Sequence, residues 1–154
     1  MKTFRYILFF VCTFTFAFGE PSQNTDIAFL KNLFVSGEFK KIPDHNSVGS
    51  LQSFKVIDGN LGFAVTFHSG KDLSIWRFNP ERKDFLYDLD IADQGADGIV
   101  NSVRFWHGAD LPHWFFASGK YDPEVRALWQ KTYEIIASEA TAAFGKQMEL
   151  LARK

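Results

Sequence analysis

Between Asp88 and Gly98 the chain reads Asp-Leu-Asp-Ile-Ala-Asp-Gln-Gly-Ala-Asp-Gly, four carboxylates in eleven residues. Asn101 adds an amide oxygen three residues further on. Oxygen ligands at this density are the chemistry of a hard cation, and calcium takes about six to eight of them. Asp93, Asp97 and Asn101 are therefore candidate calcium ligands, with Asp90 a fourth if the stretch folds back. The competing reading is plainer: Asp and Gly are good turn residues between strands, and Arg104 can supply the compensating charge.

Counted from Asp93, the stretch resembles a degenerate calcium loop of the EF-hand or dockerin kind. Asp93 matches the first ligand position, Asp97 the fifth, Gly98 the turn glycine at the sixth, Val100 the apolar eighth and Asn101 the ninth. Two positions depart from the pattern. Gly95 has no side chain to offer at the third, and Arg104 stands where a bidentate acid closes such a loop. The resemblance covers about a dozen residues, implies at most a weak calcium site, and points to no family for the whole chain.

A second dense stretch runs from Trp106 to Trp114, with His107, Asp110 and His113 between the two indoles. The histidines do not fall one helical turn apart, so the spacing lacks the usual paired-histidine zinc pattern. Trp106, His107, His113, Trp114 and Phe116 instead read as a contact patch, because aromatic rings with polar tips make good binding surface. No Gly-x-Ser-x-Gly elbow, phosphate-binding glycine loop or paired zinc motif occurs. The reading leans away from an enzyme, a small hydrolase being kept as an alternative because 18 acidic residues leave room for paired carboxylates.

The elements that must position these residues follow from periodicity. Thr25 or Asp26 can cap a short helix with Ile27, Leu30, Leu33 and Phe34 on one face, ended by Gly37. Lys40–Ser50 has loop chemistry in Pro43, Asp44, Asn46 and Gly49. Leu51–Ile57 and Gly62–His68 flank the hairpin signal Asp58-Gly59-Asn60. Further strands are expected at Leu73–Phe78, Phe85–Leu89 and Val100–Trp106, with a short sixth at Trp114–Ala117. A faint echo between Ile75-Trp76-Arg77-Phe78 and Ser102-Val103-Arg104-Phe105 hints at a duplicated hairpin. Asp122-Pro123-Glu124 is a strong helix start. Val125, Trp129, Thr132, Ile136, Ala140 and Ala143 then mark a buried stripe, widened by Leu128 and Ile135. Gly145 either ends that helix or bends it. The fold class is α+β: an antiparallel meander sheet of five or six strands, with a short N-terminal helix and a long C-terminal helix packed on one face.

Residues 1–19 set the destination. Lys2 and Arg5 precede an uncharged run from Ile7 to Phe18, and Ala17-Phe18-Gly19 offers small residues for a signal peptidase. The run is about a dozen residues, short of the roughly 20 a membrane span needs, so no span is expected after cleavage. The expected organisation is a signal peptide, residues 1–19, and a single globular domain, residues 20–154. Cleavage would remove Cys12, the one cysteine, leaving no disulfide. It would also leave 15 basic against 18 acidic side chains, a formal charge of −3 with no basic run, which argues against a nucleic-acid partner. No Asn-x-Ser/Thr acceptor occurs, and with the missing disulfide this favours a periplasmic or secreted bacterial location. The functional expectation is a small exported, non-enzymatic binding module with a protein or glycan partner, possessing at most a calcium-stabilised loop. The alternative is a carrier holding a small apolar ligand between a curved sheet and the C-terminal helix.

Overall fold

The computed structural model describes residues 24–82, 88–106, 113–115 and 123–153. The expected signal, residues 1–19, lies outside the described residues. Helix α1 spans Thr25–Val35, and its cap is Asn24 rather than Thr25 or Asp26. The extended backbone of Asn24 lets Oδ1 accept the N–H of Asp26 at 3.0 Å and of Ile27 at 3.4 Å, satisfying two otherwise unpaired donors. Past the helix, Gly37 takes a φ of +78° and leads into a single 3₁₀ turn, Glu38–Lys41, that buries Phe39.

Seven strands follow in a meander, each antiparallel to the next: β1 His45–Val48, β2 Leu51–Asp58, β3 Leu61–His68, β4 Asp72–Phe78, β5 Asp88–Asp93, β6 Ser102–Trp106 and β7 His113–Phe115. The α+β meander is thus as expected, with one strand more. β1 falls in the stretch read as loop. Its four residues are all exposed, so an edge strand here needs no apolar alternation to reveal it. β5 ends later than expected, because pairing continues to Asp93; residues 85–87 of the expected strand lie outside the described residues. Much of the acidic stretch is therefore strand and not turn.

Alternation sorts the sheet into two faces. Phe54, Val56, Phe63, Val65, Phe67, Leu73, Ile75, Leu89, Ile91 and Val103 are buried on the face that α1 and α2 cover. The other face carries Lys55, Thr66, Ser74, Trp76, Phe78, Asp90 and Arg104. There Gly62 is required by close approach, because a Cβ at this position would lie 2.3 Å from the Phe78 ring. Register also disposes of the duplicated hairpin. Arg77 pairs with Leu89 and reaches Glu139 of α2 on the helix side at 3.6 Å, whereas Arg104 pairs with Asp90 on the opposite face.

Helix α2, Pro123–Ala152, crosses the covered face without a break at Gly145. Its buried residues are Tyr133, Ile136, Ala137, Ala140, Ala143 and Phe144. Leu128 and Ile135, expected to widen the stripe, are 62% and 51% exposed. The reason is the helix's rotation: Tyr133, Ala137, Ala140 and Phe144 follow a 3.6-residue line that leaves 128 and 135 on the far side. Three alanines let the helix approach the sheet, and aromatic rings fill what remains. Phe39 stacks on Phe54 at 4.7 Å and meets Phe144 edge-on at 5.0 Å, while Phe34 stacks on Phe67 at 4.2 Å. Among the described residues no helix is long and apolar enough to cross a membrane.

Candidate functional site

Asp93 is the last residue of β5 and lies in phase with Leu89 and Ile91, so its carboxylate points towards the helices. It is fully buried. Three donors converge on it: the N–H of Asp97 at 3.1 Å on Oδ1, and the N–H of Gly98 at 2.9 Å and the Tyr133 hydroxyl at 2.7 Å on Oδ2. Burial raises the Asp93 pKa above the ordinary carboxylate value, and the nearby Asp97 charge adds to the rise. The Tyr133 hydrogen bond, then those from Gly98 and Asp97, oppose it. Tyr133 is pushed well above the usual phenol range, first by burial and then by the Asp93 charge. Its hydroxyl therefore stays protonated and donates.

The chain between β5 and β6 is wrapped around this carboxylate. Ala96 and Gly98 take φ values of +50° and +89°. Gly98 is there for a second reason as well, since a Cβ would approach Asn24 Cβ at 3.1 Å. Around the turn, the Asn101 side-chain oxygen accepts the Gln94 N–H, and Asp97 Oδ1 accepts the Ile99 N–H at 2.9 Å. Three further elements fix the loop from outside. Asp72 on β4 accepts the Gly95 N–H at 3.0 Å, and Lys31 on α1 reaches the Gly95 carbonyl at 3.5 Å. Gln130 on α2 uses both ends of its amide, accepting the Val100 N–H at 3.0 Å and donating to the Gly98 carbonyl at 2.8 Å.

Fixing the loop there opens a groove of about 820 Å³ between Asp97–Ile99 and the first three turns of α2. Its lining mixes charge and apolar surface: Asp97, Ile99, Arg126, Ala127, Gln130 and Glu134. A smaller cleft of about 240 Å³ lies on the α1 side of the same loop, beside Lys31 and Ala28.

The four calcium candidates are thus divided. Asp93, Asp97 and Asn101 share one loop, but both Asp93 oxygens and the Asn101 oxygen accept N–H or O–H donors. Asp90 is an odd number of residues from Asp93 and stands on the opposite face, opposite Trp76 and Arg104. Burial raises its pKa, opposed by the Arg104 charge and a Ser74 hydrogen bond, and its Oδ1 is buried with no hydrogen-bond partner among the described residues. Among the described residues no group of three or more His, Cys, Asp or Glu side chains is arranged to hold a metal ion. Of the expected contact patch, Trp106 belongs to β6 and His113 and Trp114 to β7, while His107 and Phe116 lie outside the described residues.

Tyr133, Gln130, Asp72 and Arg126 were not singled out from the sequence. The one available signal was the spacing of Gln130, Tyr133 and Glu134, neighbours on one helical surface three to four residues apart. Comparisons with protein-family models, with curated proteins and with solved structures find no match to this chain.

Proposed function

We propose that this chain is an exported, non-enzymatic binding module and that the groove beside the β5–β6 loop is its contact site. The observation that carries this reading is the preorganised groove wall: a buried carboxylate and a two-ended amide clamp hold the Asp97–Ile99 backbone against α2 before any ligand arrives. Preorganisation lowers the ordering cost of binding, and a groove of this size is of the order used for small molecules or short chain segments. The carrier alternative draws less support, since stacked and edge-on rings occupy the space between sheet and helix where an apolar ligand would have to sit. Export rests on the charged, apolar, small-residue order of residues 1–19.

The test is an Ala127→Trp variant, which fills the groove from an exposed helix position. Capture of partners from the host's own extracellular or periplasmic fraction should be lost, with circular dichroism and melting midpoint unchanged. Capture equal to wild type would place the contact surface elsewhere.

A further inference from the structure

We infer that the groove takes an extended peptide segment of a partner, about five residues long, carrying a basic group at one end and an acidic group at the other. This inference rests on the groove being the contact site. Arg126, Ala127, Gln130 and Glu134 follow one stripe of α2. Pro123 continues the stripe beyond Arg126, and its two charged positions, Arg126 and Glu134, lie about 12 Å apart at 1.5 Å per helical residue. In an extended chain the first and fifth residues lie about 13 Å apart, at roughly 3.3 Å per step, and point to the same side.

The charges are available. Arg126 and Glu134 are both exposed, and neither is paired with an opposite charge among the described residues. Among the described residues Glu134 is engaged only by the neutral Gln130 amide, at 3.2 Å. Asp97 faces the same groove and uses one oxygen on the Ile99 N–H, leaving the other for a cation. Arg126 also sits in the first turns of α2, at the end where the helix dipole disfavours a cation. A ligand carboxylate there would offset that cost. Between the charged ends, Ala127 leaves depth and Ile99, 38% exposed, gives an apolar wall for a central side chain. A ligand that is negative at one end, apolar in the middle and positive at the other matches a short polypeptide. A uniformly anionic ligand is disfavoured by the two carboxylates, and a purely apolar one leaves all three charges unmet.

The experiment uses fluorescence anisotropy on the protein as its host processes it, with three C-terminally amidated, fluorescein-labelled pentapeptides: Lys-Ala-Leu-Ala-Glu, Lys-Ala-Leu-Ala-Lys and Gln-Ala-Leu-Ala-Gln. The peptide with one basic and one acidic end should bind at least about tenfold more tightly than the other two, and this preference should shrink as salt screens the pairs. In the Arg126→Glu variant, whose groove is acidic at both ends, the preference should pass to Lys-Ala-Leu-Ala-Lys. That exchange is a readout that simple damage to the fold does not produce. Equal binding of all three peptides, or an Arg126→Glu variant with an unchanged preference, overturns the inference. No binding of any peptide also overturns it; if Ala127→Trp still abolishes partner capture in that case, the groove remains the contact site for a different chemistry. If Ala127→Trp leaves capture intact, the underlying reading fails first.

Discussion

Up to Glu134, helix α2 adds directional polar contacts to the apolar packing of Val125, Trp129 and the Tyr133 ring: Gln130 clamps the β5–β6 loop, Tyr133 donates to Asp93, and Arg126 and Glu134 line an open groove. Beyond Glu134 the same helix packs Ile136, three alanines and Phe144 against the sheet. The second half is held by non-directional burial, which any well-shaped apolar surface provides. In the first half, the contacts of Gln130 and of the Tyr133 hydroxyl each depend on one donor meeting one acceptor. That asymmetry places the stability of the fold at one end of the helix and the shaping of a site at the other.

Breaking the packed half should give the largest effect. Phe144 is fully buried and meets Phe39 edge-on at 5.0 Å, so Phe144→Ala is expected to cost about 3–5 kcal/mol in chemical denaturation, as a cavity in a close-packed core does. Ile135→Ser, one turn from the core but 51% exposed, should stay within about 0.5 kcal/mol of wild type. If the two variants melt alike, α2 does not present the face described.

The polar half should respond less in stability but distinctively in pH. Tyr133→Phe keeps the ring in the core and removes one of three donors to a buried carboxylate, an expected loss of about 1.5–3 kcal/mol for a hydrogen bond to a charged group. The pH signature follows from the sign of the Asp93 shift. Its folded pKa lies above the unfolded value, so the native state holds the proton more tightly. The stability this contributes is present below the unfolded pKa, near 3.9, and is lost as pH rises through the folded pKa. Asp90 is shifted in the same direction and adds to the slope. Asp93→Asn cannot titrate there, so its midpoint should vary less with pH across that window than the wild-type midpoint. Removing the Tyr133 hydrogen bond, which lowers the Asp93 pKa, should move the window to higher pH. An unchanged window in Tyr133→Phe would contradict the donor role given to the hydroxyl.

The same contrast explains what could be read from the amino acids. The packed half was legible because burial leaves a period: Ile136, Ala140 and Ala143 on α2, and Phe63, Val65 and Phe67 on β3, recur at helix and strand spacing. Turn residues such as Asp58-Gly59 fixed the hairpins for local reasons. β1 was not legible because His45-Asn46-Ser47-Val48 is exposed throughout, and a strand with no buried face has no apolar alternation. The loop around Asp93 was recognised as a candidate, but its partners were not. Tyr133 and Gln130 lie 40 and 30 residues from the groups they bind, and no local pattern reports contacts at that distance. The acidic density was the same clue in both cases; only the sheet register shows that Asp90 and Asp93 face opposite ways.

Calcium should give the smallest response, and it sharpens the comparison most directly. A cation at the loop needs free oxygens, yet Asp93 already accepts three hydrogen bonds and the Asn101 oxygen accepts the Gln94 N–H. To coordinate an ion, these oxygens would have to give up donors that would then be left unpaired in a buried setting. Asp97 keeps one oxygen free, which is far short of the six or so that calcium requires. Millimolar calcium is therefore expected to leave the thermal midpoint where it stands, with chelator making no difference. An ion bound at about 100 times its dissociation constant would instead add roughly 2.7 kcal/mol by mass action, a rise that a melt detects easily. If that rise occurs and Asp97→Ala abolishes it, the loop rearranges around an ion. The groove wall beside Asp97 and Ile99 would then be shaped by calcium rather than by Tyr133 and Gln130.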